Sequence, residues 1–177
     1  MRKLLFLYLI LSGCLSFAQP TDNNVFVKLY VVNDKKEIML VKWHGDWEIP
    51  GMSYNTPRTI STFLDTMAAG CGITVKDKKF AAQLTFQYST RKHLTLMTYY
   101  KVHHADGELK VPEDCTDIKW FSVKEALKVI PYPEMCAIIE KINEKNGVGW
   151  GGAVKKTKNP ETGKTDVEFI EPIYKLN

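Results

Sequence analysis

A change of period between residues 47 and 73, WEIPGMSYNTPRTISTFLDTMAAGCGI, constrains this chain more than any other feature. Ahead of it, VFVKLYVV (25–32) and IMLVKW (38–43) are dense in β-branched and aromatic residues, which suit a pleated, buried surface. NDKKE between them reads as a turn, HGD as a second, and WEIPG as a short extended segment stopped by Pro50 and Gly51. Then Ile60, Phe63, Leu64, Met67, Ala68 and Cys71 fall at i, i+3, i+4, i+7, i+8 and i+11, one apolar stripe along a helix. Thr56 is placed as its N-cap and Pro57 at its first position, where the missing N–H leaves no bond unmade. Gly70 or Gly72 supplies the left-handed residue that stops it, so the spacing predicts a helix over 57–69. A chain that must bury both strands and a one-sided helix is restricted to layered architectures of the α/β or α+β class.

The remaining segments extend the pattern. KFAAQLTFQYS (79–89) and HLTLMTYYKVHH (93–104) are long extended runs, and TRK between them predicts a hairpin. ADGELKVPEDCTD reads as a loop or short strand with turns, and IKWF as a brief strand. Ser122 with Glu125 three residues on forms a capping box for a helix beginning VKEAL. A further helix after Pro133 has Met135, Ile138, Ile139 and Ile142 on its buried face. From Gly147 the glycine-rich GVGWGG separates a tail that reads as strand, turn at NPETG, strand. The expectation for 147–177 is an added β-hairpin, with a flexible end or a dimerisation arm as the alternatives.

Length and composition bound the rest. With 177 residues, 45% apolar and 25% charged, the chain suits one domain with its own core and no need of staples. Residues 1–18 are set apart: MRK is a basic start, LLFLYLIL an apolar run too short to span a bilayer, and SFAQ a site suited to cleavage after Ala18. They read as a signal peptide for export to the periplasm or the extracellular space, leaving a domain over 19–146 and the extension over 147–177. LSGC, ending at Cys14, resembles a lipobox and gives the alternative of a lipoprotein anchored at Cys14, the only route by which a membrane would become a partner. The run before Cys14 is short for that, and no acidic or serine-rich tether follows.

Without Arg2 and Lys3 the formal charge of +4 falls to about +2, too little to argue for nucleic acid or an anionic membrane. Cys71, Cys115 and Cys136 then remain, an odd number in an oxidising compartment. They include no C-x-x-C pair, so zinc is not expected, and the sequence does not choose a disulfide among them. There is also no G-x-S-x-G elbow and no Walker loop. His103 and His104 are adjacent, so on a strand they point to opposite faces and make a poor metal pair. Arg91, Lys92 and His93 form a small basic cluster, read as a charged hairpin tip or a phosphate contact. Most of Trp47, Tyr54, Phe86, Tyr88, Tyr99 and Tyr100 should be core, with one or two left to line a cleft and stack a flat ligand.

The order strand, strand, W-x-x-P-G, helix ending in Gly-x-apolar, long hairpin, IKWFSVKEAL and closing helix resembles the Nudix hydrolase family over about 25–145. The family's 23-residue box aligns without a gap: Gly51 is its first glycine, Met67 its apolar position, and Gly72 and Ile73 its last glycine and apolar residue. The resemblance implies a mixed β-sheet sandwiched between helices. It also implies hydrolysis of a nucleoside diphosphate linked to another group, with magnesium or manganese held by the box glutamates.

Those glutamates are missing. Pro57 stands at the first, Thr66, Ala69 and Gly70 at the other three, Asp65 at the arginine and Met52 at the second loop glycine. Attack on a pyrophosphate needs cations to neutralise charge and activate water, and a helix delivers carboxylates to them from i, i+3 and i+4. Losing about 5 kcal/mol of that stabilisation slows a reaction more than a thousandfold.

The expectation is therefore no catalytic residue, no metal and no cofactor. The domain binds an unknown small molecule or protein, and Trp47, Glu48, Gly51, Met52, Asp65, Thr66 and Arg91 are candidates to line the pocket. The alternatives are a magnesium- or manganese-dependent hydrolase on displaced carboxylates, among Glu48, Asp65, Glu113, Asp114 and Asp117, or an envelope interaction module that oligomerises through the tail.

Overall fold

Strand β1 (Asn24–Val32) runs between two hydrophobic layers, and its alternation serves both. Val27, Leu29 and Val31 enter one core, while Tyr30 and Val32 enter the other. The next strand, β2 (Ile38–Trp43), divides likewise: Ile38 and Leu40 on one face, Met39 and Val41 on the opposite one. Strands covered on both faces read as continuous apolar runs, which is why VFVKLYVV and IMLVKW show little polar alternation. These relations come from a computed structural model that describes residues 24–176; the leader expected over 1–18, with the cleavage expected after Ala18 and the alternative anchor at Cys14, lies outside the described residues.

The hairpin partners touch only at Val32↔Ile38. Beyond that point β2 pairs antiparallel with β3 (Asp46–Glu48) and with β7 (Cys115–Phe121). β1 pairs antiparallel with β4 (Gly51–Ser53) and parallel with β6 (Thr95–Gly107), in register from Asn24↔Thr95 to Val32↔His103. β5 (Ile73–Tyr88) lies antiparallel to β6 and parallel to β8 (Trp150–Lys158), and β9 (Thr165–Lys175) closes the edge. The mixed sheet thus runs β3-β2-β1-β6-β5-β8-β9, with β4 on β1 and β7 on β2.

Helix α1 (Ile60–Gly70) covers one face with Phe63, Leu64, Met67 and Ala68. The other face is covered by α2 (Val123–Val129) and α3 (Pro133–Glu144), through Ala126, Met135, Ile138, Ile139 and Ile142. This is the expected α+β sandwich. Ser122 and Glu125 make the full capping box: Ser122 Oγ accepts the Glu125 N–H at 3.2 Å, and Glu125 Oε2 accepts the Ser122 N–H at 3.0 Å.

Several boundaries differ from the sequence reading: β5 begins at Ile73, ahead of the run expected from 79, and β7 at Cys115, ahead of IKWF. Helix α1 starts at Ile60, and its N-cap is Thr59, which accepts the Thr62 N–H at 3.2 Å, not Thr56. A turn begun at Pro57 would have added Pro57, Arg58 and Thr59, three exposed residues with nothing to bury. The tail is a hairpin, turned where Asn159 Oδ1 accepts the N–H groups of Glu161 (2.9 Å) and Thr162 (3.0 Å). It is no separate appendage, because β8 continues the sheet and sends Trp150 and Val154 into the core.

Of the two glycines able to stop α1, Gly72 takes the left-handed position at φ +80°. A Cβ there would lie 2.4 Å from the carbonyl oxygen of Glu108, part of the loop that Lys110 N–H ties to the Cys71 carbonyl at 2.8 Å. At Gly70 a Cβ would meet nothing within 4 Å. We therefore expect Gly72→Ala to lower stability by about 2–3 kcal/mol and Gly70→Ala to raise it by about 0.5 kcal/mol. Urea unfolding midpoints of the full chain check both; equal effects would contradict the difference in backbone conformation.

Candidate functional site

The layer between the sheet and α3 opens into a cleft of about 1050 Å³. Its floor is built by register. The rungs Asn24↔Thr95, Phe26↔Met97 and Lys28↔Tyr99 of the parallel β1–β6 pair all line it, since alternate residues share a face. Beside them Phe86 and Tyr88 project from β5, and Lys156, opposite Tyr88, from β8. Tyr132, Glu134 and Met135 come from the start of α3. Across the opening lie β4, the last turn of α1 with Thr66, Gly70 and Cys71, and the loop carrying Lys110, Glu113 and Asp114. Gly51 lets β4 cross β1 closely: a Cβ there would sit 2.4 Å from Phe26 Cε1 and 2.7 Å from Lys28 Cδ.

Two ion pairs are sunk into this floor. Lys28, only 3% exposed, donates to the Ile49 carbonyl at 2.8 Å and pairs with Glu48 Oε2 at 3.2 Å. Burial pushes its ammonium below the usual lysine range, and Glu48 opposes that shift. Lys156 donates to Glu134 Oε1, with Glu134 itself 4% exposed. The Lys156 ammonium also lies over the rings of Tyr132 (5.2 Å) and Phe86 (6.0 Å). Isolated charges could not be buried here; pairing is the condition for their presence. Glu134 Oε2 and Thr95 Oγ1 are buried and have no hydrogen-bond partner. An aromatic wall completes the site: Phe86 stacks on Tyr88 at 6.0 Å between centroids, and the Arg91 guanidinium lies 4.7 Å over the Tyr88 ring.

Of the candidates named from sequence, Glu48, Gly51, Met52, Thr66 and Arg91 line the cleft, as do Glu113 and Asp114. Trp47 lies elsewhere, edge-on to Phe121 at 4.9 Å and under Lys42 and Lys119. Asp65 also points away and accepts from Lys78 at 2.5 Å. Thr66 Oγ1 is already engaged, donating to the Thr62 carbonyl at 2.9 Å and accepting from Arg58 Nη1 at 3.1 Å. Asp117 pairs with Lys119 at 2.5 Å, His103 faces Asp77 at 3.4 Å, and His104 Nε2 meets the Gly107 carbonyl at 3.1 Å.

Among the described residues no group of three or more His, Cys, Asp or Glu is placed to hold a metal ion. Cys71, Cys115 and Cys136 are free thiols, and burial pushes Cys71 up to about 11. Sequence reasoning missed Lys28, Thr95, Glu134 and Lys156. The signal for the first was present: a single lysine inside an otherwise apolar strand must find a buried partner.

No protein-family model matches the sequence, and none of the curated proteins does. Solved structures do resemble the fold. A mutator MutT protein from Bacillus halodurans superposes with a TM-score of 0.66 at 14% identity, over 84% of this chain and 99% of that one. The Nudix domain of Shewanella oneidensis NrtR, complexed with ADP ribose, gives 0.60 at 13%, over 75% and 96%. An ADP-ribose pyrophosphatase from Streptococcus suis gives 0.53 at 12%, over 70% and 93%. The chain has the Nudix fold.

The site's phenols make stability fall at alkaline pH. Burial raises Tyr88, Tyr99 and Tyr132 above the usual phenol value; Asp46, which accepts from the Tyr132 hydroxyl at 2.9 Å, raises Tyr132 further. Burial likewise raises Tyr100, and lifts Tyr30 to about 12. The unfolded chain releases these protons near pH 10, whereas the folded one keeps them, so the stability present below pH 10 is lost as pH climbs through 12. Tyr30 alone accounts for about 2–3 kcal/mol. Lys28 acts in the opposite sense: its lowered value eases burial as pH rises toward 10.5. Lys101, also lowered by burial, acts with it, while the buried Cys71 thiol, raised to about 11, acts with the phenols; two ammonium groups are outweighed by several phenols and a thiol. We expect the unfolding free energy in urea to drop steeply between pH 10 and 12, and Tyr30→Phe to flatten part of that slope; stability that is level or rising over this range would refute the assignment.

Proposed function

We propose that this chain is an exported Nudix-fold domain that binds a small ligand in the cleft without hydrolysing it. The supporting observation is the composition of the α1 face turned to the cleft. It presents Thr66, Met67, Gly70 and Cys71, and no carboxylate. The two deepest cleft carboxylates, Glu48 and Glu134, are each held by a lysine, which competes directly with any cation. Magnesium sites draw on free carboxylate oxygens, with substrate phosphates completing the shell. The aromatic and methionine lining, with a few buried polar atoms among it, is the usual make-up of a small-molecule pocket. Export rests on the leader sequence, with anchorage through Cys14 as the alternative route.

Glu113 and Asp114 at the cleft mouth favour a second reading, a metal-dependent hydrolase that recruits them with Glu48. Release of phosphate from a panel of nucleoside diphosphate derivatives, with Mg²⁺ or Mn²⁺, separates the two. We expect no metal-dependent turnover. Turnover abolished by Glu48→Ala or Glu113→Ala would replace the first reading with the second. The scaffold itself has room for the missing ligands, since Thr66, Ala69 and Gly70 are exposed on α1. The triple variant Thr66→Glu, Ala69→Glu, Gly70→Glu is therefore expected to bind Mn²⁺ at least tenfold more tightly than the unaltered chain by calorimetry; equal binding by both would count against the account of what α1 lacks.

A further inference from the structure

The cleft floor carries two polar groups for which the protein supplies no partner. Glu134 is 4% exposed and Thr95 2%, and both line the cleft. Glu134 Oε1 is taken by Lys156, while Glu134 Oε2 and Thr95 Oγ1 are unpaired. A buried acceptor left unmade is costly, more so when charged, and such atoms in a pocket are where a ligand's polar groups belong. Their chemistry is specific. A carboxylate oxygen accepts only, so its partner must be a donor; the threonine hydroxyl takes either role.

The surroundings fix two further properties. Phe86, Tyr88 and Met97 form a wall that suits a flat π-system, worth about 0.5–1.5 kcal/mol beyond area for a well-placed ring. The charges of the cleft already cancel: Lys28, Arg91, Lys110 and Lys156 stand against Glu48, Glu113, Asp114 and Glu134. A diphosphate would bring uncompensated negative charge to a floor whose lysines, the buried Lys28 and the half-buried Lys156, are committed. An ammonium would compete with Lys156 for a carboxylate that has one free oxygen. A neutral donor avoids both penalties.

We infer that the cleft takes a neutral, planar heteroaromatic ligand bearing an N–H donor and no phosphate, with that donor bonded to Glu134 Oε2 and a second polar atom to Thr95. The inference rests on the proposed ligand-binding reading, and narrows it to a chemical class.

The test uses the full chain and three probes: adenine, 9-methylpurine (a purine ring with neither the amine nor a ring N–H) and adenosine 5′-monophosphate. Affinities are measured by calorimetry, with tryptophan fluorescence as a second readout. Adenine is expected to bind saturably, 9-methylpurine at least tenfold more weakly, and the monophosphate no more tightly than adenine. Glu134→Gln, which replaces an acceptor oxygen by a donor, should weaken adenine at least tenfold and remove most of its advantage over 9-methylpurine. Because Glu134→Gln also alters the pair with Lys156, Thr95→Val serves as the second variant: it leaves that pair intact and should weaken adenine several-fold, with the circular dichroism spectrum unchanged.

Equal affinity for adenine and 9-methylpurine, unchanged adenine binding in both variants, or no binding of any probe would each overturn the inference. Tighter binding of the monophosphate would overturn it by placing a phosphate site in the cleft. Failure of the underlying reading looks different: metal-dependent hydrolysis of a nucleoside diphosphate derivative, whatever the affinities of these probes.

Discussion

The parallel pairing of β1 with β6 is the constraint on which the site depends. Parallel strands must be covered on both faces, so this pair forces one helix layer above the sheet and another below. It also locks register. With Asn24 set against Thr95, the side chains of Phe26 and Met97, and then of Lys28 and Tyr99, stand side by side on one face. A slip of β1 by one residue would turn Phe26 and Lys28 into the opposite core. In that case Lys28 would be buried among Phe63, Leu64 and Met67, where no carboxylate waits for it. The ion pair between Lys28 and Glu48 therefore reports the register as well as depending on it.

Much of the framework could be read from the chain. The apolar stripe of α1, the capping box of α2, the buried face of α3 and the turn at NPETG each rest on local rules of period or capping, and each is where those rules put it. The start of α1 was missed by one helical turn because Thr56 and Thr59 are both competent caps, and only the tertiary burial of Ile60 onward chooses between them. The tail was legible as a hairpin but not as part of the main sheet. That distinction depends on β8 finding β5, sixty or more residues away in sequence, and no local signal encodes it.

The site was far less legible, for the same reason. Glu48 and Arg91 were recognised because they stand in conspicuous segments. Glu134 and Lys156 each look like ordinary surface charges, one after Pro133 and one in a lysine-rich strand. Their meeting in the cleft needs the α3 N-terminus to be laid over β8, a relation between two elements that neither sequence announces. Asp65 illustrates the converse. It looked available in the helix pattern, yet the roughly 100° step along α1 turns it to Lys78 and away from the opening.

The hairpin is also what makes the floor electrically possible. Without β8 there would be no Lys156, and Glu134 would be buried in the first turn of α3 with only the helix N-terminus to stabilise it, an effect of about 0.3–1 kcal/mol at exposed sites and at most about 2 when partly buried. An unpaired buried carboxylate costs more than that and would either protonate or turn outward. With Lys156 in place it stays buried, and one oxygen is left over. The C-terminal extension thus does more than finish a sheet edge. It converts a position at a helix start into a charged acceptor inside an aromatic cleft, on a fold whose α1 face carries no acids toward that same cleft. The unpaired polar groups of this cleft, Glu134 Oε2 and Thr95 Oγ1, thus stand on its floor and not on the α1 face, which is the arrangement that the proposed reading of ligand binding by donors requires.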